Sequence, residues 1–285
     1  MSRVLSEEEK LFRLKRRYKR EGLVLALGAG VSLGSNLPSW FELVQNLAKD
    51  SIAKGDSDYV KALEQWSLPV IASVLEQNCS EEQKDIEPRV EFVERVRKEL
   101  YRKFYEALYP DFHKALYLDA HEQLDSPLGP VMDVEGTSEE RKKAEENRRK
   151  LVRHISDNNK TLRAVAALCT VQYADKEKPL YKANVGRIRA IVTFNLDHLL
   201  QEYTRARYNQ PGLLRTIERA TQSPHIGKIS VYHMHGLLRF DNKAKQSEKE
   251  AADAVVLTEQ DYFNFFNEPM SLFNYTFLYL LREYS

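Results

Sequence analysis

Five apolar residues, Leu23-Val24-Leu25-Ala26-Leu27, run without interruption into Gly28-Ala29-Gly30, and this junction limits what the chain can fold into more than any other feature. A run with no polar face predicts a strand buried on both sides, as in a parallel sheet. The glycines predict a tight turn directly after it. Apolar residues at 40, 41, 43, 44 and 47 then carry the spacing of a helix packed on that sheet. Strand, glycine turn and helix in this order open an α/β unit.

The same pattern returns late in the chain. Residues 188–193 form a short apolar, β-branched segment followed by a polar turn and a helix from about Leu196. Residues 229–234 and 255–258 are two further strand candidates, and an amphipathic helix over 270–285 carries Leu272, Phe273, Phe277, Leu280 and Leu281. Between them the periodicity is helical, as in Val90, Val93, Val96 and Leu100, or Leu162, Val165 and Leu168. Residues 126–138, with two prolines and two glycines, read as a loop. Residues 139–153 interleave Glu with Lys and Arg, which predicts a solvated helix with i,i+4 charge pairs; a phosphate-backbone patch is the alternative. Residues 5–21 predict an exposed helix. The expected organisation is an N-terminal helix (1–22), a Rossmann-like parallel α/β domain in two pieces (23–50 and 183–285), and a large helical insertion (51–182). Because a parallel unit normally returns to its sheet through another strand, the helix ending at Ser285 is expected to mark a chain cut before a further strand.

Composition narrows the function. Across 285 residues, 43 Lys plus Arg face 42 Asp plus Glu, a net charge of +1 that offers no global attraction to nucleic acid or anionic lipid. An apolar share of 42% supports a buried core. Cys79 and Cys169 lie far apart and lack metal-spaced partners, so neither a cysteine zinc site nor any other metal is expected, and both thiols are expected reduced. Met1 to Gly22 is charged throughout, without the apolar stretch of a signal peptide, and no run approaches the ~20 residues that span a bilayer. A cytoplasmic protein is expected.

Chemistry concentrates in three short motifs, each at the end of a strand. Gly28-Ala29-Gly30-Val31-Ser32 can bring backbone N–H groups close to a diphosphate, or simply make a tight turn; its spacing, with Gly34, is G-x-G-x-x-x-G rather than the dinucleotide fingerprint. Thr193-Phe194-Asn195-Leu196-Asp197 places two polar side chains where open α/β sheets bind ligands, although Asn and Asp there also suit a helix N-cap. His233-Met234-His235-Gly236 offers a base, a structural histidine or half of a metal site.

Taken in order, Gly-Ala-Gly-Val-Ser, then Leu37-Pro38-Ser39-Trp40, Thr-Phe-Asn-Leu-Asp and His-Gly resemble the NAD-binding domain of the sirtuin family, above all the bacterial sirtuin-like domains of anti-phage defence. The likeness covers about 21–50 and 185–285. It implies that Gly28, Ala29, Gly30 and Ser32 bind the NAD diphosphate, that Asn195 positions the nicotinamide ribose and attacking water, that Asp197 contacts the carboxamide, and that His235 is the catalytic histidine. Thr258, Asp261 and Tyr262 resemble the segment that follows that histidine in the bacterial branch. Two departures weigh against protein deacylation: Pro38-Ser39-Trp40-Phe41 lacks the Asp and Arg of the deacylases, and two cysteines cannot build their four-cysteine zinc module. The resemblance thus implies an NAD+ hydrolase releasing nicotinamide and ADP-ribose. The alternatives are an NAD-dependent deacylase or a silent NAD- or ADP-ribose-binding assembly module. It further implies a homo-oligomer controlled by a C-terminal sensor or a separate partner.

Overall fold

Three strand ends brought level at one edge of a parallel sheet define the architecture. The structure is a computed structural model that describes residues 5–52, 65–82, 87–109, 138–173, 180–210, 212–218, 224–239, 248–267 and 272–284. The loop expected at 126–138 lies outside the described residues up to Ser138.

Six strands occur among these residues: β1 (Leu23–Leu27), β2 (Thr170–Tyr173), β3 (Leu180–Ala183), β4 (Ile188–Thr193), β5 (Leu214–Ile217) and β6 (Ile229–His233). A four-stranded sheet runs in the order β1-β4-β6-β5, with every described pair parallel. Its register sets Leu27 beside Thr193 and Thr193 beside His233. The turns after β1, β4 and β6, which hold the three motifs, therefore leave the sheet side by side. This is the α/β, Rossmann-like arrangement expected.

Within it, β4 alternates. Ile188 and Ile191 join one core, while Ala190 and Val192 join a second on the opposite face with Ile217, Tyr232, Met234 and Leu280. From Ala190 to Val192 each side of the sheet takes every other side chain, and Ile188 joins the core of Ile191 because the ladder to β1 slips by one residue between Leu23 and Val24. β1 departs from expectation. It lies at the edge of the described sheet with β4 as its only neighbour there, so it is partly exposed, Ala26 openly so, rather than buried on both faces.

The helices are α1 (Glu7–Arg20), α2 (Trp40–Ile52), α3 (Leu68–Glu82), α4 (Pro88–Leu108), α5 (Ser138–Asn158), α6 (Lys160–Leu168), α7 (Leu199–Tyr208), α8 (Glu248–Asp253), α9 (Glu259–Asn267) and α10 (Leu272–Tyr284). Capping boxes start two of them. The Ser6 and Glu9 side chains satisfy each other's backbone N–H at α1, and Ser39 and Glu42 do the same at α2. As expected, α1 buries nothing. The charged stretch 139–153 lies in α5, where Arg149 and Lys150 pair one turn back with Glu145 and Glu146, the solvated-helix reading. Helices α3 to α6 have no core apart from the sheet's: Phe92, Val96, Leu100, Leu151, Ile155 and Leu162 share one cluster with Ile191, Leu199 and Val231.

Three further differences have local causes. Residues 170–183, expected as helix, include the antiparallel ladder β2–β3, with Tyr173 opposite Leu180. Four-residue strands of mixed exposure leave little periodicity to read. β5, with Arg215 and Thr216 at its middle, was not anticipated for the same reason. Conversely, residues 255–258 form no strand. The Asp261 carboxylate takes the N–H groups of Leu257 (2.9 Å) and Thr258 (2.8 Å), donors that a ladder would need.

Candidate active site

The glycine turn is an open cradle. Gly28 is extended (φ −120°), and two short 3-10 turns follow, Ala29–Val31 and Leu33–Ser35. The first donors bonded back into this turn are Val31 N–H, to Gly28 O (3.0 Å), and Ser32 N–H, to Ala29 O (2.9 Å). The N–H groups of Ala29 and Gly30 have no partner among the described residues, as at any helical N-terminus. A Cβ added to Gly28 or Gly30 would meet nothing within 4 Å. Exposed donors beside unfilled space fit an anionic group such as a diphosphate. Gly34 does something else: a Cβ there would lie 3.0 Å from Asn158 O and Asn159 Cγ, so this glycine allows close packing on the α5–α6 junction.

That junction contributes a residue the motifs do not include. Asn159, 2% exposed, caps α6 through Leu162 N–H and donates its amide to Val31 O (2.7 Å) and Ser35 Oγ (2.8 Å), fastening the glycine turn. A helix N-cap Asn between two predicted helices was the available sequence signal, but its second partner is 128 residues away.

Ser32, Asn195 and Asp197 form one relay. Ser32 Oγ donates to Asp197 Oδ2 at 2.7 Å, and Asn195 Nδ2 donates to Ser32 Oγ at 3.2 Å. The relay has one consistent direction. An ionised carboxylate only accepts, so the Ser32 hydroxyl must donate to it; the lone pair of Ser32 then requires the NH2 of Asn195. Asn195 Oδ1 is left as the amide atom without a partner among the described residues, on a side chain lining the pocket. Asp197 Oδ1 accepts Leu199 N–H at 3.0 Å, although the N-cap of α7 is His198 and Asp197 stands one residue before it. Burial pushes the Asp197 pKa up, and its bonds from Ser32 and Leu199 oppose this. Ser32 is itself buried, its hydroxyl turned to Asp197.

The two histidines do not converge. His235 sits at the pocket with its ring edge-on to Phe194 (5.0 Å), Tyr262 (5.2 Å) and Phe265 (5.7 Å). No described residue hydrogen-bonds its ring, and burial alone pushes its pKa down to about 4. His233 is buried beneath the site, bonded to Gln201 and to the Asn195 main chain, which argues against the pair chelating a metal. Among the described residues no cluster of three or more His, Cys, Asp or Glu could hold a metal, and no helix is long and apolar enough to cross a membrane.

These groups line one cavity of about 240 Å³ with Leu37, Pro38, Trp40, Leu43, Leu100, Leu196 and Val256. Val256 and Tyr262 are held to it from the helical layer. Arg89, in α4, donates to Val255 O (2.5 Å) and pairs with Asp261 (2.9 Å) and Glu76 (3.3 Å). Val256 N–H donates to His235 O at 3.0 Å.

Residues 189–285 match the family model of the SIR2-like domain. The likeness to a SIR2-like domain covers about the last third of the chain. None of the curated proteins matches the chain. The matched stretch includes Asn195, Asp197 and His235, and the parallel pairing of β1 with β4 brings Gly28 to Ser32 to them from outside it. SIR2-like domains bind NAD+, and the match supports NAD-related, sirtuin-type activity at that level.

With His233 and His235 held neutral by burial, the protein is expected to be acid-sensitive. His233 titrates near 4 when folded against about 6.5 unfolded. Between these values the unfolded chain binds the extra proton, so stability is complete above about pH 6.5 and falls as pH drops to about 4. For His233 the loss is on the order of 3 kcal/mol, and His235 adds to it in the same direction. Urea midpoints measured from pH 7 to pH 4 should fall steeply, and His233→Asn should flatten that fall; an unchanged slope would exclude His233 as a source.

Proposed function

We propose that the SIR2-like domain is an NAD+ hydrolase that cleaves the nicotinamide–ribose bond. The observation that carries this reading is the Asp197–Ser32–Asn195 relay, which leaves the side-chain oxygen of Asn195, Oδ1, without a bonded partner among the described residues, in a cavity that His235 also lines. The cavity, about 240 Å³, is smaller than the ~300–1,000 Å³ of most small-molecule sites. It suits one end of a dinucleotide, the nicotinamide ribose, with the diphosphate over Gly28, Ala29 and Gly30.

In the reaction, water bonds to the ribose C1′ as the C1′–N bond breaks and its electron pair goes to nicotinamide. The water's proton leaves to His235 or to solvent, giving nicotinamide, ADP-ribose and H+. Asn195 Oδ1 accepts a hydrogen bond from the ribose hydroxyl or the attacking water, which orients the nucleophile. His235, neutral from about pH 5 upward, accepts the proton. The feature favouring hydrolysis over deacylation is Pro38-Ser39-Trp40-Phe41, with Ser39 and Phe41 where the deacylases carry Asp and Arg; Ser39 is instead engaged with Glu42 in capping α2. We further infer, from the likeness to bacterial defence effectors, that NAD+ depletion is the biological output. A homo-oligomer governed by a sensor or partner protein would control it.

Chromatography of NAD+ incubated with the chain tests the reading. Nicotinamide and ADP-ribose should appear in equal amounts without any peptide. Release only with an acetylated peptide would make it a deacylase, and calorimetric binding of NAD+ without turnover would make it a binding module.

A further inference from the structure

His233 ends β6 two residues before His235, yet its side chain turns away from the cavity and is 1% exposed. Its ring lies between two partners. Nδ1 is 3.2 Å from the main-chain oxygen of Asn195, and Nε2 is 2.7 Å from the side-chain nitrogen of Gln201. A carbonyl only accepts, so Nδ1 must carry a proton; an amide NH2 only donates, so Nε2 must present its lone pair. One species meets both demands, the neutral imidazole protonated at Nδ1. Gln201 is oriented in turn, its amide reaching Thr216 Oγ1 at 3.4 Å on β5. Burial keeps this ring neutral at physiological pH.

The consequence falls on Asn195, which leaves β4 in a turn with no ladder of its own. Each polar group of that residue other than Oδ1 is held by a different strand end. The main-chain N–H goes to Thr193 Oγ1 (3.1 Å), the main-chain oxygen to His233 and the side-chain NH2 to Ser32. Without His233 the peptide after Asn195 could rotate, and the side-chain amide would swing with it.

We propose that His233, itself oriented by Gln201, is a positioning residue for Asn195: it holds the Asn195 carbonyl so that the free amide oxygen faces the cavity. The inference rests on the reading of Asn195 as the group that orients water or ribose in NAD+ hydrolysis. At metal centres, removing the outer partner that orients a ligand typically costs about 10–100-fold, and a loss of that order is expected here.

The test uses the full chain with NAD+ as substrate, and the variants His233→Leu, His233→Asn and Gln201→Leu. His233→Leu should lower kcat for nicotinamide release about 10–100-fold with KM changed less than about 3-fold, the pattern of a lost transition-state alignment. His233→Asn, whose amide NH2 can take the place of Nδ1–H, should recover kcat to within about 5-fold of wild type. Nitrogen chemical shifts of the wild-type ring should show Nδ1 protonated and Nε2 bare, whatever the activity, and Gln201→Leu should weaken that preference. An Nε2-protonated ring, or a folded His233→Leu variant with unchanged kcat, would overturn the proposal. A wild-type chain that releases no nicotinamide would instead overturn the hydrolase reading, and the kinetic role with it.

Discussion

Asn195→Ala should lower nicotinamide release from NAD+ by about 10²–10⁴-fold, the range for loss of a positioned polar or proton-handling group. The substitution removes the amide oxygen that the relay leaves facing the cavity, so no neighbour can substitute for it. The fold should survive. The lost side-chain interactions are the bond to Ser32 Oγ, worth about 1 kcal/mol, and a weaker one to the Asp197 carboxylate, while the Ser32 hydroxyl keeps its own bond to Asp197. The melting temperature should therefore drop by no more than about 2–4 °C. Equal release by folded wild-type and Asn195→Ala proteins would remove Asn195 from the chemistry. His235→Ala should lose activity comparably. Its ring packs edge-on against Phe194, Tyr262 and Phe265, so truncation also loosens that wall, and thermal melts must accompany the kinetics.

Gly236→Ala should destabilise the protein by about 3–5 kcal/mol, enough to leave a marginal domain largely unfolded at 37 °C. Two costs add. Gly236 has φ +79°, where a Cβ carries a penalty of roughly 1–2 kcal/mol. That Cβ would also lie 2.3 Å from Ala254 O and 2.9 Å from Val255 Cα, both backbone atoms that no rotamer change can move. The approach is close because His235 O accepts Val256 N–H, which sets Val256 and Tyr262 against the cavity while Arg89 and Asp261 hold the same segment from the helical layer. Gly28→Ala is the contrasting case. With φ −120° and open space around its Cβ, it should change stability by less than about 1 kcal/mol. Urea denaturation of the two variants decides the matter, and a Gly236→Ala midpoint equal to wild type would show that the turn relaxes freely.

Much of this was legible in the chain because the governing interactions are local. The apolar runs at 23–27, 188–193 and 229–234 could be read as parallel strands, since a segment with no polar side has to be covered on both faces. Position mattered at their ends too: glycine, asparagine and histidine directly after buried strands named the candidate site before any geometry was known. The helical spacing of Val90 to Leu100 and of Leu162 to Leu168 corresponds to α4 and α6 for the same reason.

Contacts between distant segments were beyond that reading. β1 is apolar enough for a central strand and lies at the edge of the described sheet, because strand order depends on which neighbours pair with it. The 255–258 segment has strand composition but gives its N–H groups to Asp261. The family resemblance implies a diphosphate-binding role for Ser32, but nothing local names the partner of its hydroxyl, Asp197, 165 residues on. Arg89 stands in no recognisable pattern, and neither the N-cap position of Asn159 nor the histidine motif that includes His233 names its distant partner; each acquires its role only when folding sets it against a turn from another part of the chain. Most strands and helices, and the candidate site, could be read from local sequence because hydrophobic periodicity and turn residues act over a few positions. The direction of each amide, hydroxyl and imidazole in that site came from tertiary structure alone, because a polar side chain is oriented by whichever partners the fold delivers to it.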